Sequence, residues 1–329
     1  MSEISIEDVS KRFEEHLAIE DNNRIIFSGK FGTGKTYFLN KFFDDRETDY
    51  NKFIISPANY VVSSNEDIFE LIKADIIKDL FLTGKVNIKK LPEDNTVQKI
   101  SDFIEGNQFV LGNFLLNTVS KLNSTLSVPK EVIDMLGEVY KKYKSHKLKV
   151  EVDNKTMSEE MADYWFATSE KIGQVYEHNY ITKLINHFLD ELTEKGKKKN
   201  VLVIDDLDRI DPEHIFRILN ILSAHNNQFG ADNKFKFDYV VIVCDIENIR
   251  KIFNHKYGAD VDFEGYMDKF FSTHLFEWSN NDAIKLYISS VFAASENQGY
   301  TSFLAFIFQR LVDNRCITIR KLIKHKLKI

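Results

Sequence analysis

"FSGKFGTGKTYFLN", residues 27–40, places three glycines and a lysine between an apolar run and a helical pattern. It fits G-x-x-x-x-G-K-[ST] at Gly29, Gly34, Lys35 and Thr36, with Gly32 inside the loop. Upstream, "RIIF" (24–27) is of strand type, and downstream "KTYFLNKFF" (35–43) repeats apolar residues at helical spacing. Strand, glycine loop and helix in that order is what a phosphate cradle needs. Glycines let backbone N–H groups turn inward around phosphate oxygens with no Cβ in the way, and a helix N-terminus adds partial positive charge. On this reading Gly29, Lys30, Phe31, Gly32, Thr33, Gly34, Lys35, Thr36 and Tyr37 make the nucleotide-binding loop. Lys35 reaches the β- and γ-phosphates as a point charge, and the Thr36 hydroxyl holds Mg2+. The competing reading is a flexible glycine turn with an ordinary lysine.

A phosphate loop needs a metal-holding carboxylate at the end of a neighbouring strand, and "VLVIDDLDR" (201–209) supplies one. Four apolar residues read as a buried central strand, with Asp205 and Asp206 where it emerges. Asp205 then holds Mg2+ through water, and Asp206 orients the attacking water. Two acids at one strand tip repel unless a cation sits between them; the competing reading is two solvated acids opening a loop. Mg2+ also lowers a neighbouring carboxylate's pKa, so Asp206 is better suited to positioning than to strong base chemistry. It is one methylene shorter than the glutamate many such ATPases carry, which predicts slow turnover.

With 329 residues the chain can hold one large domain or two small ones, and 43% hydrophobic with 29% charged residues suits a soluble globule. Net charge −6 leaves no whole-chain electrostatic footprint for nucleic acid. Cys244 and Cys316 sit in no metal-ligand spacing and read as reduced thiols of a cytoplasmic protein. The N-terminus reads as an amphipathic helix rather than a signal, and no apolar run is long enough to span a membrane. Cys/His zinc spacings, G-x-S-x-G, H-E-x-x-H and the Leu-Ser-Gly-Gly-Gln signature of transporter ATPases are all missing from the sequence.

Further strand-type runs lie at 52–56, 200–204, 239–244 and 273–278, with helical periodicity filling most of the remainder. Strands alternating with helices predict an α/β fold with a parallel sheet. About 140 residues separate the second run from the third, far more than a crossover needs. The predicted organisation is a core over 1–83 and 178–278, a helical insertion over 84–177 and a C-terminal helical lid over 279–329.

"GKFGTGKT", "VLVIDDLDRIDPEHIFRIL", "YVVIVCDIENIRKIF", "YMDKFFSTHLF" and "ITIRKLIKH" together resemble the KAP family of P-loop NTPases, relatives of the STAND and AAA+ groups. The resemblance covers residues 22–60 and 178–329, and the acid-acid-Leu-Asp-Arg run is its most specific element. It implies an ATP-binding core with strand order 5-1-4-3-2 and a lid carrying a sensor arginine. Family members often bear membrane-spanning helices between the two nucleotide motifs, which this insertion lacks. Bacterial members are associated with phage exclusion and other defence systems, which implies a homo-oligomer or a partner effector protein.

Carried over by position, Asp245 is a γ-phosphate sensor or, equally, the N-cap of the helix after it. Arg209 braces Asp208 or points at a neighbouring subunit's nucleotide. Asn59 follows the second strand at an altered spacing from the family's pattern. Lys269, near Tyr266, acts in trans or is a solvated lysine. Arg320 closes the lid on the nucleotide, or belongs with Arg315, Lys321, Lys324, Lys326 and Lys328 to a basic face open to nucleic acid or a partner. Two functions follow: an Mg2+-dependent ATPase switch with Lys35, Asp206, Asp245 and Arg320 as its working residues, or a scaffold that binds ATP with little turnover.

Overall fold

A computed structural model describes residues 5–60, 68–82, 180–224, 235–281, 284–286, 288–289 and 298–313. The expected insertion and the basic C-terminus lie outside these residues. Five strands form one sheet in the order β2-β3-β4-β1-β5: β1 Arg24–Ser28, β2 Tyr50–Ile55, β3 Lys199–Ile204, β4 Tyr239–Cys244 and β5 Phe276–Glu277. β1 runs parallel to both neighbours, Arg24 to Ser28 pairing in register with Val240 to Cys244, and Phe27 with Phe276. Every residue of β4 and four of the five in β1 are buried, the burial of a strand covered on both faces.

Two compact units divide the chain. The first comprises Met1–Tyr50, Val203–Asp208 and Tyr239–Ile329. It opens with α1 Glu7–Leu17, whose buried Val9, Phe13, His16 and Leu17 recur at helical spacing and whose acidic first turn suits the helix dipole. Phe13 is fully buried, its ring 4.9–6.3 Å from those of Phe27, Phe38, Phe42, Phe43 and Phe276. Those partners lie on β1, on α2 Lys35–Asp44 and on β5.

The second unit comprises Asn51–Leu202 and Arg209–Asp238. Its described helices are α3 Ile68–Leu82, α4 Tyr180–Gly196 and α5 Pro212–Ala224. Proline takes the first position of α5, where its missing N–H costs nothing, and Asp211 accepts from the Glu213 amide at 2.9 Å. Asn200 ties this unit together, donating to Leu189 O and Thr193 Oγ1 and accepting from Asn51, all within 3.0 Å. A buried amide with its donors and acceptor matched in this way carries little desolvation cost.

Back in the first unit, β4 leads to α6 Ile246–Tyr257 and then α7 Phe263–Met267. Arg250 of α6 pairs with Glu264 of α7 at 2.6 Å and stacks over Phe263. After β5, the described part of the expected lid includes α8 Gln298–Asp313.

Candidate functional site

The phosphate loop is secured at its start. Gly29 N donates to Cys244 O at 2.9 Å, and Ser28 Oγ accepts from the Ile246 amide at 3.1 Å. Within the loop Gly32 and Gly34 adopt φ of 72° and 91°, where a side-chain-bearing residue costs roughly 1–2 kcal/mol. Thr33 Oγ1 closes the turn on Lys30 O at 2.7 Å. Gly34 stands at the N-cap of α2 and brings no side chain to its first-turn N–H groups, and no acid lies in that turn. Those amides and the dipole behind them suit a phosphate.

Lys35 is buried, with Nζ donating to Gly29 O at 2.5 Å and Lys30 O at 3.2 Å. Two of its three donors thus hold the loop's own carbonyls, which leaves one for a ligand. Phe31 lies 5.4 Å away as a cation–π partner and is exposed, like Tyr37 after Thr36.

The tip of β3 comes to the same place. Thr36 Oγ1 donates to Asp205 Oδ2 at 2.8 Å across 169 residues of sequence. Asp205 is buried, which raises its pKa; the Asp206 charge pushes the same way, while the Thr36 hydroxyl, the Asp206 amide and Lys35 oppose the rise. The Asp206 amide donates to Asp205 Oδ1 at 3.0 Å, and Asp206 itself is left-handed at φ 50°.

A hydroxyl that gives its proton to Asp205 keeps its lone pairs for a cation, so Thr36 and Asp205 fit Mg2+. Among the described residues no three His, Cys, Asp or Glu side chains gather as a metal cluster. Mg2+ beside a nucleotide needs none, because phosphate oxygens and water supply most of its ligands.

Asp245 directly follows β4 and caps α6, Oδ1 accepting from the Glu247 amide at 3.1 Å. Asp208 is turned inward and almost fully buried. Its Oδ2 accepts from Asn248 Nδ2 at 3.2 Å, and Oδ1 has no hydrogen-bond partner. Burial raises the Asp208 pKa against the pull of Asn248 and Lys35. Asn248 of α6 thus holds Asp208 from one side, and adjacent Arg209 is exposed.

Lys269 is exposed, 4.4 Å from the Tyr266 ring, and its carbonyl accepts from Arg24. Asn59 falls in a 3-10 turn, Pro57–Tyr60, and its side chain is outside the described set. Arg320 is outside the described residues altogether.

Ser28, Asn248 and Trp278, whose Nε1 donates to Thr33 O at 3.1 Å, escaped sequence reasoning. Ser28 carried one faint signal, a polar residue closing an apolar strand; the other two carried none.

A parallel α/β sheet whose glycine loop meets a strand-tip carboxylate defines a P-loop NTPase domain. The model of the KAP family P-loop domain matches residues 10–302, and the chain belongs to that family. The match takes in the span between the two nucleotide motifs and stops short of Arg320. A comparison with curated proteins finds no match. Among the described residues no helix is long and apolar enough to cross a membrane.

Proposed function

We propose that the chain is an Mg2+-dependent ATP-binding and ATP-hydrolysing switch of KAP type, whose cycle controls self-assembly or a partner effector in phage defence. The Thr36–Asp205 hydrogen bond of 2.8 Å carries the reading, because it joins the loop's metal-binding hydroxyl to the strand-tip acid. Lys35 and the loop amides of Gly29–Thr36 bind the phosphates, Thr36 and Asp205 hold the ion, and Asp206 orients water. Asp245 reads the γ-phosphate, and Arg320 closes the 279–329 lid. Mg2+, when bound with nucleotide, neutralises charge that builds on the phosphates. The 84–177 insertion carries partner contacts. Different contacts to ATP and ADP drive the switch.

Phosphate release from wild type and Asp206→Asn tests the chemistry. Asparagine accepts a left-handed backbone about as well as aspartate, so the exchange removes charge without new strain. Turnover should fall on the order of 100-fold, with ATP affinity kept. Lys35→Ala should weaken ATP binding by about 10- to 150-fold in calorimetry, the value of one charged hydrogen bond; undiminished affinity would refute the cradle. The second reading, an ATP-dependent scaffold, draws on the short reach of Asp206. Equal, negligible release from both proteins with ATP still bound would establish it.

A further inference from the structure

Gly29 opens the phosphate loop, and a Cβ added there would lie 2.7 Å from Trp278 Cδ1 and 2.8 Å from Trp278 Cβ. The indole thus fills the space against the loop's first residue. Four contacts fix it. Its backbone amide donates to Ser28 O at 2.6 Å, carrying the β1–β5 pairing one residue beyond Glu277. Its ring centroid lies 4.6 Å from that of Phe38 on α2 and 5.7 Å from that of Phe27 on β1. Its Nε1–H donates to the Thr33 carbonyl at 3.1 Å.

Thr33 sits between Gly32 and Gly34, the two left-handed glycines, so the indole holds the most pliable stretch of the loop. Among the described residues no peptide bond is cis. In a trans peptide the C=O and the following N–H point in opposite directions. Holding Thr33 O on the indole side therefore turns the Gly34 N–H to the loop's other face. An untethered glycine peptide samples both orientations, and ordering it on binding costs affinity.

We propose that Trp278 is a positioning residue of the phosphate loop: its indole N–H presets the Thr33–Gly34 peptide so that the Gly34 amide serves a phosphate oxygen. The proposal rests on the loop being an ATP cradle, and it adds that Trp278 senses occupancy of that cradle from behind.

Trp165 and Trp278 are the two tryptophans of the chain, so a Trp165→Phe protein carries Trp278 as its single indole fluorophore. Titrating it with Mg·ATP should shift the emission with the same Kd that calorimetry gives. Trp278→Phe keeps an aromatic ring and removes the donor; its affinity for Mg·ATP should be about 2- to 12-fold weaker, the range for one neutral hydrogen bond. Unchanged emission at saturating nucleotide, or a Trp278→Phe affinity within about twofold of wild type, overturns the proposal while the cradle stands. No heat from wild type with Mg·ATP overturns both together, which separates the two failures. Should Trp278→Phe not fold, the emission titration decides alone.

Discussion

At Asp206 the backbone turns left-handed on a residue with a side chain, beside a carboxylate that burial has already made harder to ionise. Aspartate and asparagine tolerate that conformation because their short polar side chains bond locally, whereas alanine gains nothing from it. Asp206→Ala should thus unfold at lower urea than Asp206→Asn, by about 1 kcal/mol; equal midpoints would show that the turn is unstrained. Two acids at a strand tip were plain from the sequence. The bond from Asn248 to Asp208 was not, because a partner 40 residues on leaves no local signal in the sequence.

Among the elements, α1 shows what one face of a helix contributes. Phe13 gathers rings from α2, β1 and β5, so it links the phosphate-loop strand and helix to the edge strand. Removing a fully buried ring leaves a cavity as well as lost burial, and Phe13→Ala should cost about 3–5 kcal/mol in equilibrium urea denaturation. A loss below about 1 kcal/mol would mean that the site collapses around the gap. The amphipathic character of α1 was legible, since buried residues recur every third or fourth position; its destination was not, as periodicity gives a face and no neighbour. The final strand shows another limit. Six residues from 273 to 278 read as one apolar run, yet β5 covers only Phe276–Glu277. Ser272 and Thr273 hydroxyls bond to Asn23 and Asn22 instead, and these side-chain bonds hold the approach to β1 in place of a longer ladder.

For the molecule as a whole, His16 ties stability to pH. It is buried on α1, its Nε2 lacks a hydrogen bond, and burial with His274 at 4.7 Å lowers its pKa to about 4. An unfolded histidine titrates near 6.5, so below that value the unfolded chain binds a proton that the folded one resists. This contribution is complete above about pH 6.5 and is lost as pH falls toward about 4. Thermal melts of wild type should drop across that window more steeply than those of His16→Leu; parallel curves would assign the acid sensitivity elsewhere. The nucleotide motifs made the α/β class readable, because a cradle and a strand-tip acid demand parallel strands side by side. The central span held no comparable constraint, and its residues stayed mute although the family match includes them.

Cys244 ends β4 with its thiol sealed in the sheet, and burial pushes its ionisation well above the usual thiol range. Oxidants and alkylating agents attack thiolates that they can reach, and this sulfur offers neither charge nor access. Its carbonyl nonetheless holds the first amide of the phosphate loop. The protein thus keeps a cysteine at its nucleotide face that stays chemically silent while the sheet is intact, deaf to oxidative stress.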